Sequence, residues 1–167
     1  SLIRFLTFRH ILESEKSRKI YGFDVFGKFP KPTNSPDKKF LKRWESLAGD
    51  GISLNELKEI IEKKKIHNFE LIQGDVIKTI PTFIQKNKHI KISLLHLDMD
   101  IYKPTKFILE KLVNKIVKGG IILIDDYNSV YGATKAVDEF LKKNRNLKIK
   151  KLTNYKGPFR PFYIVIG

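Results

Sequence analysis

The segment LLHLDMDIYKPT, residues 94–105, runs an apolar stretch straight into two carboxylates, Asp98 and Asp100. A second pair, Asp125 and Asp126, closes the apolar segment GIILIDDY at 120–127. Two carboxylates just beyond a buried strand repel each other, and a second pair from a neighbouring strand worsens the repulsion unless a cation is present. Hard oxygen donors of this kind suit Mg2+, Ca2+ or Mn2+ rather than zinc. Each pair also has a plain structural reading, because Asp favours turns and helix caps. The coincidence of two pairs is what favours a metal site. Two further acids stand in the same kind of place: Asp24 in KIYGFDVF (19–26), and Asp75, after Gly74, in NFELIQGD (68–75).

The elements that must position these acids alternate between helix and buried strand. Residues 2–15 read as a helix with a broad apolar face of Leu2, Phe5, Leu6, Phe8, Ile11 and Leu12. A strand ending at Asp24 and a Pro-rich loop, FPKPTNSPD, follow, and Trp44 reads as a local helix anchor. Ser53 and Glu56 form a capping box for a helix whose inner face is Leu57, Ile60 and Ile61. After Asp75 comes a short helix with Ile77, Ile80, Phe83 and Ile84. The run ISLLHLDMD (92–100) is apolar enough for a strand covered on both faces. Pro104 is expected to start the next helix and Gly119-Gly120 to stop it. ATKAVDEFLKKN (133–144) carries its apolar residues on one stripe, and LKIKKLT with RPFYIVIG reads as a terminal antiparallel hairpin around NYKGP.

This alternation predicts an α/β fold, a mostly parallel sheet with helices on both faces and the hairpin at its end. Ligands in such sheets bind outside the carboxyl ends of the strands. The acids at 24, 75, 98, 100, 125 and 126 are therefore expected to form one acidic rim.

At 167 residues the chain has the length of a single domain, spanning 1–167. The longest apolar runs are strand-sized, no leader segment stands out, and cysteine is absent, which excludes disulfides and thiolate metal sites. The expectation is a soluble, cytoplasmic protein without a membrane partner. A formal charge of +15 invites a nucleic-acid reading, but the lysines are scattered through every segment and no aromatic–basic motif accompanies them. Nucleic acid is therefore not the expected partner, although a basic binding fragment with vestigial acids is kept as an alternative.

Three chemistries write an apolar strand followed by D-x-D. A haloacid-dehalogenase-type phosphatase needs Thr or Val where this chain has Tyr102, and places the motif at its first strand. A nucleotide-sugar glycosyltransferase fits LLHLDMDIY locally but gives no account of IDDY or GFDVF. The third chemistry covers more of the chain. The blocks GFDVFGKFP, GDVIKTIP, LDMDIYKPT and KGGIILIDDYNSVYGATKAVDEF resemble, in this order, those of the macrocin O-methyltransferase family, over about residues 1–145. Departures from the family pattern are Met99 for a glycine between the acids, Lys103 for an acid, Pro104 for a serine, and Gly27-Lys28 in the first block.

The resemblance implies a Rossmann-like class I methyltransferase that uses S-adenosylmethionine and Mg2+ (or Mn2+) to methylate a hydroxyl of a small-molecule sugar or glycosylated natural product. It implies that Asp24 takes the cofactor ribose hydroxyls and that Gly74 and Asp75 lie at the adenine. Asp98, Asp125 and Asp126 become metal ligands, and Asp98 or Asp100 the base. The lysine base of catechol-type relatives is absent, Ile101 standing in its place. The resemblance further implies that the fold's first, central strand and its Gly-rich cofactor loop are not in this sequence. The chain is then expected to be an N-terminally truncated piece that binds cofactor poorly, or else a short protein that has lost the activity. Self-association into a homo-oligomer is left open. His96, in an apolar strand, reads as a core histidine, and His10, His67 and His89 as surface residues. Tyr127 and Tyr131 fit either a substrate pocket or ordinary packing.

Overall fold

A computed structural model describes residues 1–27, 35–48, 51–153 and 161–167, without the side chains of Ser35, Trp44, Glu45, Leu47 and Ala48. The Trp44 anchor, most of the Pro-rich loop and the NYKGP turn lie outside the described residues. The chain forms two compact units, one of residues 1–30 and 44–79 and one of residues 31–43 and 80–167.

The first unit holds helix α1 (Leu2–Leu12), strand β1 (Ile20–Asp24), helix α3 (Leu54–Lys63) and strand β2 (Phe69–Gln73). The strands pair in parallel, from Ile20 opposite Phe69 to Asp24 opposite Gln73. Leu6, Leu57, Ile61 and Ile66 form the core between helices and strands. Burying four such side chains stabilises by roughly 1.5–3 kcal/mol each. α3 starts as expected: Ser53 Oγ accepts from Glu56 N–H, and the Glu56 carboxylate accepts from Ser53 N–H at 3.0 Å. α1 is shorter than expected and covered over less of its surface. Leu6 is fully buried, whereas Phe8, Ile11 and Leu12 are exposed. Arg9 is buried instead, donating to the carbonyls of Arg18, His67 and Asn68, so that an ion rather than an apolar stripe ties down the end of α1.

The second unit is a four-stranded sheet in the order β3-β4-β6-β5, formed by β3 (Ile92–Leu97), β4 (Ile116–Ile124), β5 (Ile149–Lys151) and β6 (Phe162–Val165). β3 and β4 are parallel, while β6 runs antiparallel to both β4 and β5, as the terminal hairpin requires. Helix α5 (Tyr102–Leu112) follows β3 and helix α6 (Tyr131–Lys143) follows β4. The two pack on each other, and Leu109 and Leu112 of α5 and Ala133, Ala136, Val137 and Phe140 of α6 are all buried. Helices α2 (Ser35–Ala48) and α4 (Val76–Lys86) each run from one unit's residues into the other's.

Two expected boundaries move. α5 begins at Tyr102 and Pro104 is its third residue, where a proline's missing N–H costs nothing. Gly119-Gly120 does not end a helix: α5 stops at Leu112, a short 3-10 turn (Val113–Lys115) follows, and both glycines lie inside β4. There the β3 register shifts between Ile92 and Leu94. Gly119 sits at φ +77°, and a Cβ on Gly120 would come within 2.5 Å of Ile116 Cγ2 and 2.8 Å of the Val117 carbonyl. The pair makes a bulge rather than a cap. Among the described residues no helix is long and apolar enough to cross a membrane.

Candidate functional site

In the second unit the β3–β4 ladder sets the acids side by side. His96 pairs with Leu123 and Leu97 with Ile124, and the Asp125 N–H extends the ladder to the Leu97 carbonyl at 3.1 Å. Asp98 and Asp125 therefore leave the sheet at neighbouring positions. Beyond Asp98 the chain turns sharply, with Asp100 at φ +58° and Ile101 N–H donating back to the Met99 carbonyl. The left-handed region suits Asp better than most side chains. This turn aims the Asp100 N–H at Asp126, whose Oδ2 accepts it at 3.0 Å. Asp126 also accepts from the Met99 backbone.

Four carboxylates thus converge, and the two more buried of them, Asp100 and Asp126, record the cost in their acidity. Burial, reinforced by the charges of Asp126, Asp98 and Asp125, pushes the Asp100 carboxyl up from 3.8 to about 7. Burial and the charges of Asp98 and Asp125 push Asp126 up to about 6, against the pull of its two backbone hydrogen bonds. A divalent cation would relieve both groups at once. The donors fit one: ligand atoms from His96, Asp98 and Asp125 all lie within 4.8 Å of one another. His96 is not a bland core residue, because its Nε2 stands 3.1 Å from Asp125 Oδ2 and its side chain is 17% exposed. The signal was present in the sequence: in H-L-D, strand alternation puts His96 and Asp98 on one face.

Another residue that sequence reasoning missed holds the two acid-bearing loops. Asp37 of α2 is 2% exposed, and its Oδ2 accepts the Tyr102 N–H at 3.0 Å, at the start of α5. At the start of α6, Gly132 lies so close to the other oxygen that a Cβ there would overlap it. One buried carboxylate therefore faces the amino ends of both helices, where the helix dipoles favour negative charge. The helices are also joined through Tyr102, whose hydroxyl donates to Glu139 at 2.7 Å, with Lys106 Nζ 2.8 Å from both. Tyr127 is held by packing, its ring 4.9 Å from that of Phe162 and its hydroxyl donating to Asp138, whereas Tyr131 is exposed.

In the first unit Asp24 and the pair Gly74-Asp75 lie together at the carboxyl ends of β1 and β2, with Gly74 N–H donating to the Asp24 carbonyl at 2.9 Å. Gly74 has φ +134°, a conformation that glycine adopts readily. Asp24 is exposed, with one carboxylate oxygen taking the Phe26 N–H. Asp75 Oδ1 accepts from Ile77 N–H in the first turn of α4, so it has a capping role of its own. Within the first unit Asp24 thus stands with Gly74-Asp75, and within the second the four other acids stand together.

The fold has known counterparts. The structure of the O-methyltransferase NovP superposes with a TM-score of 0.77 at 22% identity, over 96% of this chain and 66% of that one. CalS11, a TDP-rhamnose 3'-O-methyltransferase of calicheamicin biosynthesis, gives 0.65 at 25% identity, over 98% of this chain and 66% of that one. An O-methyltransferase from Bacillus cereus in complex with SAH gives 0.56 at 14% identity, over 100% of this chain and 82% of that one. The chain spans just under two thirds of the length of NovP and CalS11. No curated protein sequence matches it significantly. The architecture is that of an α/β class I methyltransferase. The family model for macrocin-O-methyltransferase (TylF) matches residues 5–154, most of its length and both groups of acids, and the chain belongs to that family.

Proposed function

We propose that the protein is an S-adenosylmethionine-dependent O-methyltransferase that acts on a sugar hydroxyl with the help of a divalent cation, Mg2+ or Mn2+. The observation that carries the reading is the convergence of Asp98, Asp100, Asp125 and Asp126 beyond two parallel strands, in a chain of this family. Asp98 and Asp125, with Asp126 from the same loop, hold the cation. Asp24, exposed at the end of β1, takes the cofactor's ribose hydroxyls, and Gly74-Asp75 borders the adenine. A bound divalent cation lowers the pKa of a hydroxyl that it ligates and orients it, while the cofactor's sulfonium supplies an electrophilic methyl group.

The rest falls to the protein's own side chains. Asp100 is the base: the turn after β3 sets its carboxylate among Asp98, Asp125 and Asp126, beside the place where the cation would hold the acceptor hydroxyl. As the acceptor oxygen takes the methyl group, its proton passes to an Asp100 carboxylate oxygen, and S-adenosylhomocysteine leaves. Asp126 fixes the Asp100 backbone, and Asp37 fixes the helices behind both loops. The acceptor we favour is a sugar carried on a nucleoside diphosphate or a natural product. CalS11, a TDP-rhamnose methyltransferase by name, and the family assignment support it.

The test is to incubate the chain with S-adenosylmethionine, MgCl2 and a panel of nucleoside-diphosphate sugars that includes TDP-rhamnose, and to follow methyl gain by mass spectrometry. Methylation that needs the cation and is lost in Asp100→Asn supports the reading. A chain that binds S-adenosylhomocysteine yet methylates only non-sugar hydroxyls would sink the sugar assignment, and nucleotide release from the sugars without methyl transfer would sink the reaction class.

A further inference from the structure

We infer that His96 is a nitrogen ligand of the cation, and that the centre therefore prefers Mn2+ or another borderline first-row ion to Mg2+. This rests on the metal-centre reading above and deepens it by naming the class of ion.

The argument starts from the strand. His96 is the penultimate residue of β3 and Asp98 follows the strand directly, and the pairing of Leu97 with Ile124 brings Asp125 alongside both. Of the groups gathered here, His96, Asp98 and Asp125 are the three whose ligand atoms come within 4.8 Å of one another. Asp126 is turned toward the Asp100 N–H by one of its oxygens. The separation of His96 Nε2 from Asp125 Oδ2, 3.1 Å, is that of a hydrogen bond. It also equals the spacing of adjacent ligands around an octahedral ion with bonds of roughly 2.1–2.2 Å. Small movements would thus let an ion replace the shared proton. Nε2 would then bind through its lone pair, the ring keeping its proton on Nδ1. The ring is mostly buried, so its orientation is set by the fold before any ion arrives.

The consequence for selectivity follows from ligand chemistry. Mg2+ takes oxygen donors and keeps much of its water, whereas imidazole suits Mn2+, Co2+, Ni2+ and Zn2+ increasingly well. Three carboxylates alone would discriminate little between Mg2+ and Mn2+. A fixed imidazole tips the balance toward the ion that accepts nitrogen.

The test uses the metal alone. The EDTA-treated chain is titrated with MnCl2 and, separately, with MgCl2 by calorimetry, and the Mn2+ form is examined by electron spin echo envelope modulation. Nitrogen hyperfine coupling is expected in the native chain and in a variant whose exposed His10, His67 and His89 are changed to Gln. It should vanish in His96→Gln, with the Mn2+-over-Mg2+ preference falling about tenfold or more. Mn2+ bound without nitrogen coupling would overturn the inference, leaving His96 as a hydrogen-bond partner that orients Asp125, with the metal-centre reading intact. Coupling that survives His96→Gln overturns it as well. Failure of the native chain to bind either ion would remove the metal-centre reading itself. The native spectrum decides the matter even if the substituted chain folds poorly.

Discussion

Asp100→Asn should make the metal-free protein more stable, and only at pH values where the aspartate is charged. Folding raises the Asp100 carboxyl from 3.8 to about 7, because burial and three neighbouring carboxylates disfavour its charge. The sign follows from proton binding. Below pH 3.8 both folded and unfolded chains hold the proton and the group contributes nothing. Between that value and about 7 the folded chain holds the proton more tightly, so stability falls as pH rises, and above 7 the full penalty is present. At about 1.4 kcal/mol per pH unit this is about 4 kcal/mol as an upper bound. Solvent relaxation around a group that is not fully buried brings the working figure to roughly 2 kcal/mol. Asn is neutral, tolerates the left-handed backbone at this position and keeps the N–H that Asp126 accepts. Urea denaturation in EDTA at pH 8 should therefore show the variant more stable by about 2 kcal/mol, or roughly 4–8 °C in Tm. The gain should vanish near pH 4 and shrink at pH 8 when a divalent cation is added. A variant less stable than the native chain at pH 8, or a gain that does not depend on pH, would refute the electrostatic reasoning. The native residue then trades stability for a poised base.

Three further outcomes are expected. Asp125→Asn should abolish the cation's stabilisation of the native chain, which thermal melts would show as about 2.7 kcal/mol at an ion concentration a hundredfold above Kd; an unchanged shift would place the ion elsewhere. Gly132→Ala should cost roughly 2 kcal/mol or more in urea titrations, because the new methyl overlaps the buried Asp37 carboxylate, and Asp37→Ala in the same chain should recover part of the loss by relieving the overlap. Ser53→Ala should cost about 1 kcal/mol by removing the capping box of α3, and a loss near zero would mean that the end of α3 frays in solution.

The strands and their order along the chain were legible from their apolar runs, which give way to acids at the carboxyl ends of β1, β3 and β4. Yet β3 is not covered on both faces as its composition suggested, since Leu94 is exposed. The first helix shows the limit of that reasoning. Periodicity marks which residues share a face but not how far along the helix a neighbour covers it, so Phe8, Ile11 and Leu12 looked internal and are exposed. Gly119-Gly120 followed an amphipathic helix and read as its stop. Only pairing with β3 reveals the bulge that demands a glycine at 120. Long-range partners were hidden for the same reason. Asp37 read as the end of a Pro-rich loop and lies instead in the first turn of α2, and nothing local announces that it meets Tyr102 and Gly132, far along the chain. His96 is the instructive miss, since alternation with Asp98 was visible and only the apolar neighbours argued for a core role.

The measurement that bears most directly on the account is the amide spectrum of the nitrogen-15-labelled chain during titration with S-adenosylhomocysteine, a method that still registers millimolar affinities. The account predicts saturable shifts centred on Asp24, Gly74 and Asp75, with no such shifts from uridine diphosphate sugars. Absence of any saturable shift from S-adenosylhomocysteine, or shifts from it that leave Asp24, Gly74 and Asp75 unmoved, would contradict methyl transfer as the chemistry of this site.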